Sequence, residues 1–379
     1  MRDVLDDLVE QWRAGSSVGL GTVVAAFSSA PRLPGAAMAV SEEGVVTGSV
    51  SGGCVEGAVY ETATEVLGNG VPQLQRYGFS DDDAFAVGLT CGGIIDVFVE
   101  NVNQETFPEL GDVARDIREG TPVAIATVIE HPDADRVGRR IVLRLESAEG
   151  TVGSDRADHA IIDDARGLLA VGRNATLTYG PEGQRLEDGM RVFVSTFAPR
   201  PRMIVFGAID FAAALAQQAS FLCYHVTVCD ARPVFATPAR FPSADEVVVK
   251  WPDEYLQAEV DAGNVDPRTV IAVLTHDPKF DVPVLQVALP LEVAYIGAMG
   301  SRLTHTDRLE RLREAGVSEE HLNRLHSPIG LDLGGRTPEE TAVSIMAEVI
   351  QRHWGGTAEP LHSRDGRIHY DDVPDLPEN

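Results

Sequence analysis

Met203-Ile204-Val205-Phe206-Gly207-Ala208-Ile209-Asp210-Phe211-Ala212 joins a short apolar run to an alanine-rich segment through a single glycine. Four such residues suit a core strand, and the apolar spacing over 207–222 predicts a helix. His225-Val226-Thr227-Val228-Cys229-Asp230 predicts the next strand, and further strands are expected at 246–249, 270–274 and 293–296. Strands alternating with helices imply a parallel sheet covered on both faces. Residues 199–355 are therefore expected to form a Rossmann-like, doubly wound α/β domain.

Within that domain Gly207 stands where a dinucleotide fingerprint turns the chain, and Asp230 ends the second strand where an acid would meet a ribose. Ile209 replaces the second glycine, and Asp210 puts negative charge where pyrophosphate would lie. The pattern argues for the fold more than for NAD(P). Polar residues also follow the strand ends: Arg232, Thr275-His276-Asp277 and Ser301-Arg302. Such positions line the ligand-binding edge of a doubly wound sheet. His276 is a candidate acid–base residue or a structural one, and Ser301-Arg302 reads as a phosphate clamp or as a helix cap beside a surface arginine. Thr337-Pro338-Glu339-Glu340 is a capping box opening a helix through 349, and the tail 356–379 is acidic and expected to be loose.

Working back, Pro199-Arg200-Pro201 reads as a domain boundary, leaving 1–198 as a first, mixed α/β domain. Its opening helix is expected over 3–14, and its sequence repeats. Gly21-Thr22-Val23-Val24 returns as Ala126-Thr127-Val128-Ile129, Gly48-Ser49 as Gly153-Ser154, and the helix of 55–67 as 160–169, at an offset of roughly 105 residues. Tyr77-Gly78 returns as Tyr179-Gly180, and Asp96-Val97-Phe98-Val99 as Arg191-Val192-Phe193-Val194. Two pseudo-repeats, about 19–101 and 124–197, are expected from this internal duplication.

Of the two copies only the first carries cysteines, Cys54 and Cys91. Gly48-Ser49-Val50-Ser51-Gly52-Gly53-Cys54-Val55-Glu56 and Thr90-Cys91-Gly92-Gly93 each set a thiol beside two glycines. Missing Cβ atoms let a ligand approach exposed backbone N–H groups, and Cys54 is expected near a helix N-terminus, where free N–H groups favour a thiolate or a bound anion. The offset places His159 opposite Cys54, as an ordinary polar residue or as a contributor from the second copy.

Composition sets the frame around these motifs. The 379 residues are enough for two or three domains, and no apolar run is long enough to span a bilayer. Four cysteines without CxxC spacing suggest free thiols in a reducing compartment, and the start lacks a signal-peptide pattern, so a cytoplasmic location is expected. A net charge of −27 opposes nucleic acid and anionic membranes.

Taken together these motifs resemble the XdhC/CoxI family of xanthine dehydrogenase accessory proteins. The resemblance runs through Ser29-Ala30-Pro31-Arg32, Pro34-Gly35, the two Gly-Cys motifs, Val226 to Arg232, Leu274-Thr275-His276-Asp277, Tyr295 to Arg302, and Pro328 to Asp332. Thr90 departs from it, standing where the family usually has a further glycine. The resemblance implies a chaperone that binds the molybdenum cofactor, assists its sulfuration and inserts it into a xanthine or carbon monoxide dehydrogenase type apoenzyme. It implies a homodimer and a cysteine desulfurase as a further partner. It implies Cys54 as a contact to molybdenum or a sulfur carrier with Cys91 beside it, and Arg32 or Arg302 on the cofactor's phosphate near Gly52, Gly53, Gly92 and Gly93. The competing readings are an NAD(P)-dependent oxidoreductase using His276 or a cysteine, and a docking protein without chemistry.

Overall fold

The computed structural model describes residues 1–27, 30, 32–78 and 93–364. The chain divides into two units, one of them Met1–Pro199 and the other opening at Arg200.

In the first unit α1 (Leu5–Arg13) precedes β1 (Val18–Phe27), β2 (Ala37–Ser41), β3 (Val46–Gly48), α2 (Glu56–Asn69), β4 (Gln73–Tyr77) and β5 (Ile94–Val102). After α3 (Leu110–Glu119) the same succession returns: β6 (Val123–Glu130), β7 (Arg140–Arg144), β8 (Ala148–Gly150), α4 (Asp155–Val171), β9 (Ala175–Tyr179) and β10 (Met190–Phe197). The two antiparallel sheets have matching orders, β3-β2-β1-β5-β4 and β8-β7-β6-β10-β9. Strand β1 contacts β9 while β6 contacts β4, as a pseudo-twofold relation requires.

Packing follows the alternation of each strand. Outward residues such as Val23, Val97 and Val99 meet Val59, Ala63 and Val66 of α2. The equivalents Ala126, Val192 and Val194 meet Ala157, Ile161 and Ala165 of α4. Inward, Val24, Phe98, Ile129 and Phe193 form one cluster of two equivalent pairs. Asp96 and Arg191, themselves equivalent, form an ion pair of 3.2 Å between the sheets, with Asp96 almost fully buried. Gly35 and Gly138 also correspond, donating their N–H groups to Val23 and Val128 respectively at 2.8 Å each.

One equivalence differs from the sequence expectation. Gly48 and Gly150 both have positive φ, and at each a Cβ would lie 2.4 Å from a carbonyl oxygen of the neighbouring strand, at Ala37 and Arg140. Gly48 therefore corresponds to Gly150 and not to Gly153, which sets Arg156, not His159, opposite Cys54. Shorter connections in the second copy, both between its first two strands and in the hairpin that follows, change the offset along the chain.

The second unit has the expected parallel sheet. Its strands are β11 (Arg202–Phe206), β12 (His225–Cys229), β13 (Glu246–Val248), β14 (Val270–Val273), β15 (Tyr295–Ala298) and β16 (Leu325–His326), in the order β13-β12-β11-β14-β15-β16. On one face Met203, Val205, Val226 and Val228 pack on α5 (Asp210–Phe221) and on α10 (Pro338–Trp354). On the other, Ile204, Phe206, Ile271 and Val273 pack on α6 (Pro252–Asp261), α7 (Pro278–Ala288), α8 (Arg302–Glu314) and α9 (Glu319–Leu322). Thr337 and Glu340 close the capping box on α10. No helix among the described residues is long and apolar enough to cross a membrane.

Phe98→Ala and Phe193→Ala should each cost about 3 kcal/mol. Because the rings share one cluster, the double variant should depart from additivity by at least about 0.5 kcal/mol, measured by denaturant unfolding of the full chain.

Candidate functional site

Between β3 and α2 the chain folds back through Gly52 (φ +83°) and Gly53 (φ +115°), a conformation L side chains rarely adopt. Among the described residues a Cβ at either would meet nothing within 4 Å. Cys54 follows, half-buried against the core of the first repeat, its N–H donating to Ser51 Oγ at 3.0 Å. It precedes the first turn of α2, as expected.

The centre of the turn is Glu56. Its Oε1 accepts from Ser49 Oγ at 2.6 Å and from the N–H groups of Ser51 at 2.9 Å, Gly52 at 3.0 Å and Val50 at 3.3 Å. Its Oε2 accepts from Ser51 Oγ at 2.5 Å and from the N–H groups of Gly53 at 2.8 Å and Val55 at 3.2 Å. Partial burial pushes the carboxyl up, but the hydrogen bonds from Ser49, Ser51 and the backbone outweigh it and hold Glu56 far below the usual carboxylate range. The expectation that these N–H groups face a ligand is thus corrected: the chain's own carboxylate already receives them. The second repeat has the same device in simpler form. Asp158 accepts from Thr151 Oγ1 at 2.6 Å and from the Val152 N–H at 2.8 Å.

Gly93 is buried just ahead of β5, whereas Cys91 and Gly92 lie outside the described residues. Arg32 extends from the loop between β1 and β2, where Asp3 engages its Nη2 at 2.7 Å. That loop borders a cleft of about 430 Å³ between the repeats, lined also by Arg2, Asn174, Ser195 and Phe197. Asn174 fixes one wall: its Nδ2 donates to Pro34 O at 2.8 Å, and its Oδ1 accepts the Thr196 N–H at 2.7 Å.

In the second unit Gly207 has φ +112°, and a Cβ there would lie 3.0 Å from the Thr275 backbone nitrogen. Asp230 is 1% exposed. It accepts from the Ala208 N–H at 2.8 Å and the Arg232 N–H at 2.9 Å, and from Arg232 Nε at 2.9 Å and Nη2 at 2.7 Å. Burial pushes its carboxyl up, but those bonds outweigh it and leave it lowered. Its acceptor sites are filled from within the fold, so it bridges strand ends where a ribose contact was expected. Arg240 offsets the charge of Asp210 at 3.2 Å.

His276 is exposed after β14, while its neighbour Asp277 caps α7 and binds Lys279 at 3.0 Å, so the two form no acid–base pair. Ser301 caps α8, accepting the Thr304 N–H at 3.1 Å, and Arg302 is exposed beside it. A network the sequence reading missed lies beneath. Buried Arg308 donates to Asp281 Oδ2 and Met299 O at 2.8 Å each and to Ser327 Oγ at 3.0 Å, tying α7 to the ends of β15 and β16. Cys229 is a core thiol whose burial pushes it up to about 12. No group of three or more His, Cys, Asp or Glu among the described residues is placed to hold a metal ion.

Two repeated antiparallel α/β layers, a Gly-Cys turn in one copy only, and a parallel Rossmann sheet define a distinctive class of protein. The XdhC and CoxI family profile matches residues 11–78 and 116–180, and the XdhC Rossmann domain profile matches 203–349. The chain belongs to the XdhC/CoxI family. It is 28% identical over 334 residues to a probable xanthine dehydrogenase subunit from Bacillus subtilis (strain 168), covering 88% of this chain and 92% of that one. It is 27% identical over 348 residues to the molybdenum cofactor insertion chaperone PaoD of Escherichia coli (strain K12), covering 92% of this chain and 87% of that one. A crystal structure described as a xanthine dehydrogenase from Bacillus halodurans matches with a TM-score of 0.64 and 25% identity, over 95% of this chain and 96% of that one.

Glu56→Gln should lower the thermal midpoint at neutral pH, because an amide cannot accept at both positions. A lowered carboxyl contributes its stability above the ordinary carboxylate range and loses it as pH falls through the folded value. The gap between wild type and variant should therefore persist down to about pH 5 and close only in strongly acid solution, as read by thermal scans across pH.

Proposed function

We propose that this chain is a maturation factor that binds the molybdenum cofactor as cargo, assists its sulfuration and delivers it to an apo-dehydrogenase of the xanthine or carbon monoxide dehydrogenase type. The observation that carries the reading is the likeness, along nearly the whole chain, to a protein named as a molybdenum cofactor insertion chaperone. The local chemistry suits it. No described residue lies over Gly52 and Gly53, and a bulky planar cargo approaching there would meet Cys54, a soft donor suited to molybdenum. When bound, the cargo supplies the redox-active metal and its dithiolene. The chain's own part is to present one thiol from a turn fixed by Glu56 and to shield the metal from water.

In this reading Cys91 is the partner thiol, and a cysteine desulfurase supplies the sulfur. Two copies of the chain act as a dimer, in the cytoplasm. The oxidoreductase reading has less behind it, since Asp230 is spent within the fold and Ile209 occupies the second fingerprint position.

Protein purified without oxygen should carry molybdenum and pterin. Cys54→Ser should reduce both by about tenfold or more, together with activation of the client dehydrogenase. Unchanged retention and activation in the Cys54→Ser, Cys91→Ser double variant would sink the proposal. A fluorescence titration with NADH should give no saturable binding; tight binding would restore the oxidoreductase reading.

A further inference from the structure

We infer that the cleft between the two repeats of the first unit is an anion site that receives a phosphate monoester, with Arg32 and Arg2 as its cations. This rests on the proposed function only for the identity of the cargo.

Elimination narrows the choice. The Gly52 and Gly53 N–H groups point at Glu56 and leave no open nest for a second anion. Arg232 gives both Nε and Nη2 to Asp230, and Arg240 is divided among Asp210 and the carbonyl oxygens of Ala208 and Phe235, whereas Arg32, among the described residues, is engaged at Nη2 alone. The cleft offers what those places lack. Arg32 and Arg2 both line a space of about 430 Å³, ample for a phosphate group with part of its carrier. Asp3 engages one terminal nitrogen of Arg32, and Ala198 O engages Nη2 of Arg2 at 2.7 Å, while each guanidinium carries five N–H donors.

Both repeats build the site. The first supplies Arg32 to Ala36, and the second supplies Asn174, Ser195, Thr196 and Phe197. Asn174 holds the Arg32 loop against the second repeat, so the cations are fixed from two sides. Ser195 also borders a separate small cavity of about 30 Å³, lined mostly by apolar side chains such as Leu20, Phe98 and Ile129. There Arg140, 7% exposed at its side chain, pairs with Glu100 at 2.6 Å, while its Nε finds no hydrogen-bond partner. The cleft carries two guanidinium groups against the single carboxylate of Asp3, and apolar surface at Leu33 and Phe197, suited to a phosphate carried on a flat ring.

The test titrates inorganic phosphate against the full chain, followed by calorimetry. Wild type should bind saturably, and Arg32→Gln should weaken binding about tenfold, the worth of one charge-assisted contact. Leu33→Glu, at an exposed position on the rim, should abolish it, and serves where Arg32→Gln does not fold. Arg115→Gln, on the surface of α3, should bind as wild type. Absence of saturable phosphate binding, equal affinity in Arg32→Gln, or loss in Arg302→Gln instead would overturn the inference.

A second arm identifies the source of the phosphate. Saturating inorganic phosphate should slow loading of the molybdenum cofactor, and unimpeded loading would overturn the assignment to the cargo. Cys54→Ser should leave phosphate affinity within about twofold, because Cys54 is not among the residues lining the cleft. Normal phosphate binding beside cofactor retention indifferent to Cys54 would therefore count against the proposed function alone.

Discussion

Neither repeat of the first unit can cover both faces of its own sheet. Each has one long helix, α2 or α4, which buries the outer face. The inner face is equally apolar and must find another partner, which is the other repeat. Meeting face to face across a pseudo-twofold relation, the sheets bury Val24 on Ile129 and Phe98 beside Phe193, with hydrophobic transfer worth about 1.5–3 kcal/mol for each large side chain. Helices α1 and α3 then close one end of the sandwich over Leu20, Val102, Ile125 and Phe197.

A twofold relation between identical surfaces would set like charges against like at the axis. Here the copies differ at that point, with Asp96 in one and Arg191 in the other, and the two form an ion pair. Arg76 adds a second cation to the same carboxylate at 2.6 Å. A buried pair of this kind is weak evidence for net stability, yet removing one partner is costly. It ties the divergence of the copies to their packing: once the pair exists, neither repeat can be exchanged for a second copy of the other. The Gly-Cys turn of the first repeat, with Arg156 opposite Cys54, belongs to the same loss of symmetry.

Much of the fold was legible because burial imposes period. Residues 203–206 alternate between the two sides of the parallel sheet, and Thr337 to Glu340 carried the whole capping box in four residues. The matching sheet orders carry landmarks visible in the chain, such as Thr22 with Thr127 and Tyr77 with Tyr179. Strand β16 was missed because two residues, Leu325 and His326, have no period to read. The register at the Gly-Cys turn slipped because a shortened loop changes the offset without changing the fold. Side-chain partners such as Arg308 with Asp281, and Asn174 with Pro34, leave no local pattern, since nothing in a stretch of chain says what a distant loop will bring to it.

Glu56 illustrates the limit of motif reading most directly. Glycines beside a helix start suggest a cradle for a foreign anion, because the backbone donors there must be satisfied by something. That requirement does not say whether the acceptor comes from outside or from the chain. Asp158 in the second repeat, where no cysteine exists, accepts the equivalent donors from Thr151 and Val152. An internal carboxylate at this turn is therefore common to both copies and does not depend on the cysteine. What the first copy adds is the pair Gly52-Gly53 and the thiol of Cys54, with the longer acid gathering the extra N–H groups. The turn holds its cysteine with its own charge already in place, so a negatively charged cargo must be steered by cations elsewhere, and within the same unit the loop that carries Arg32 supplies one.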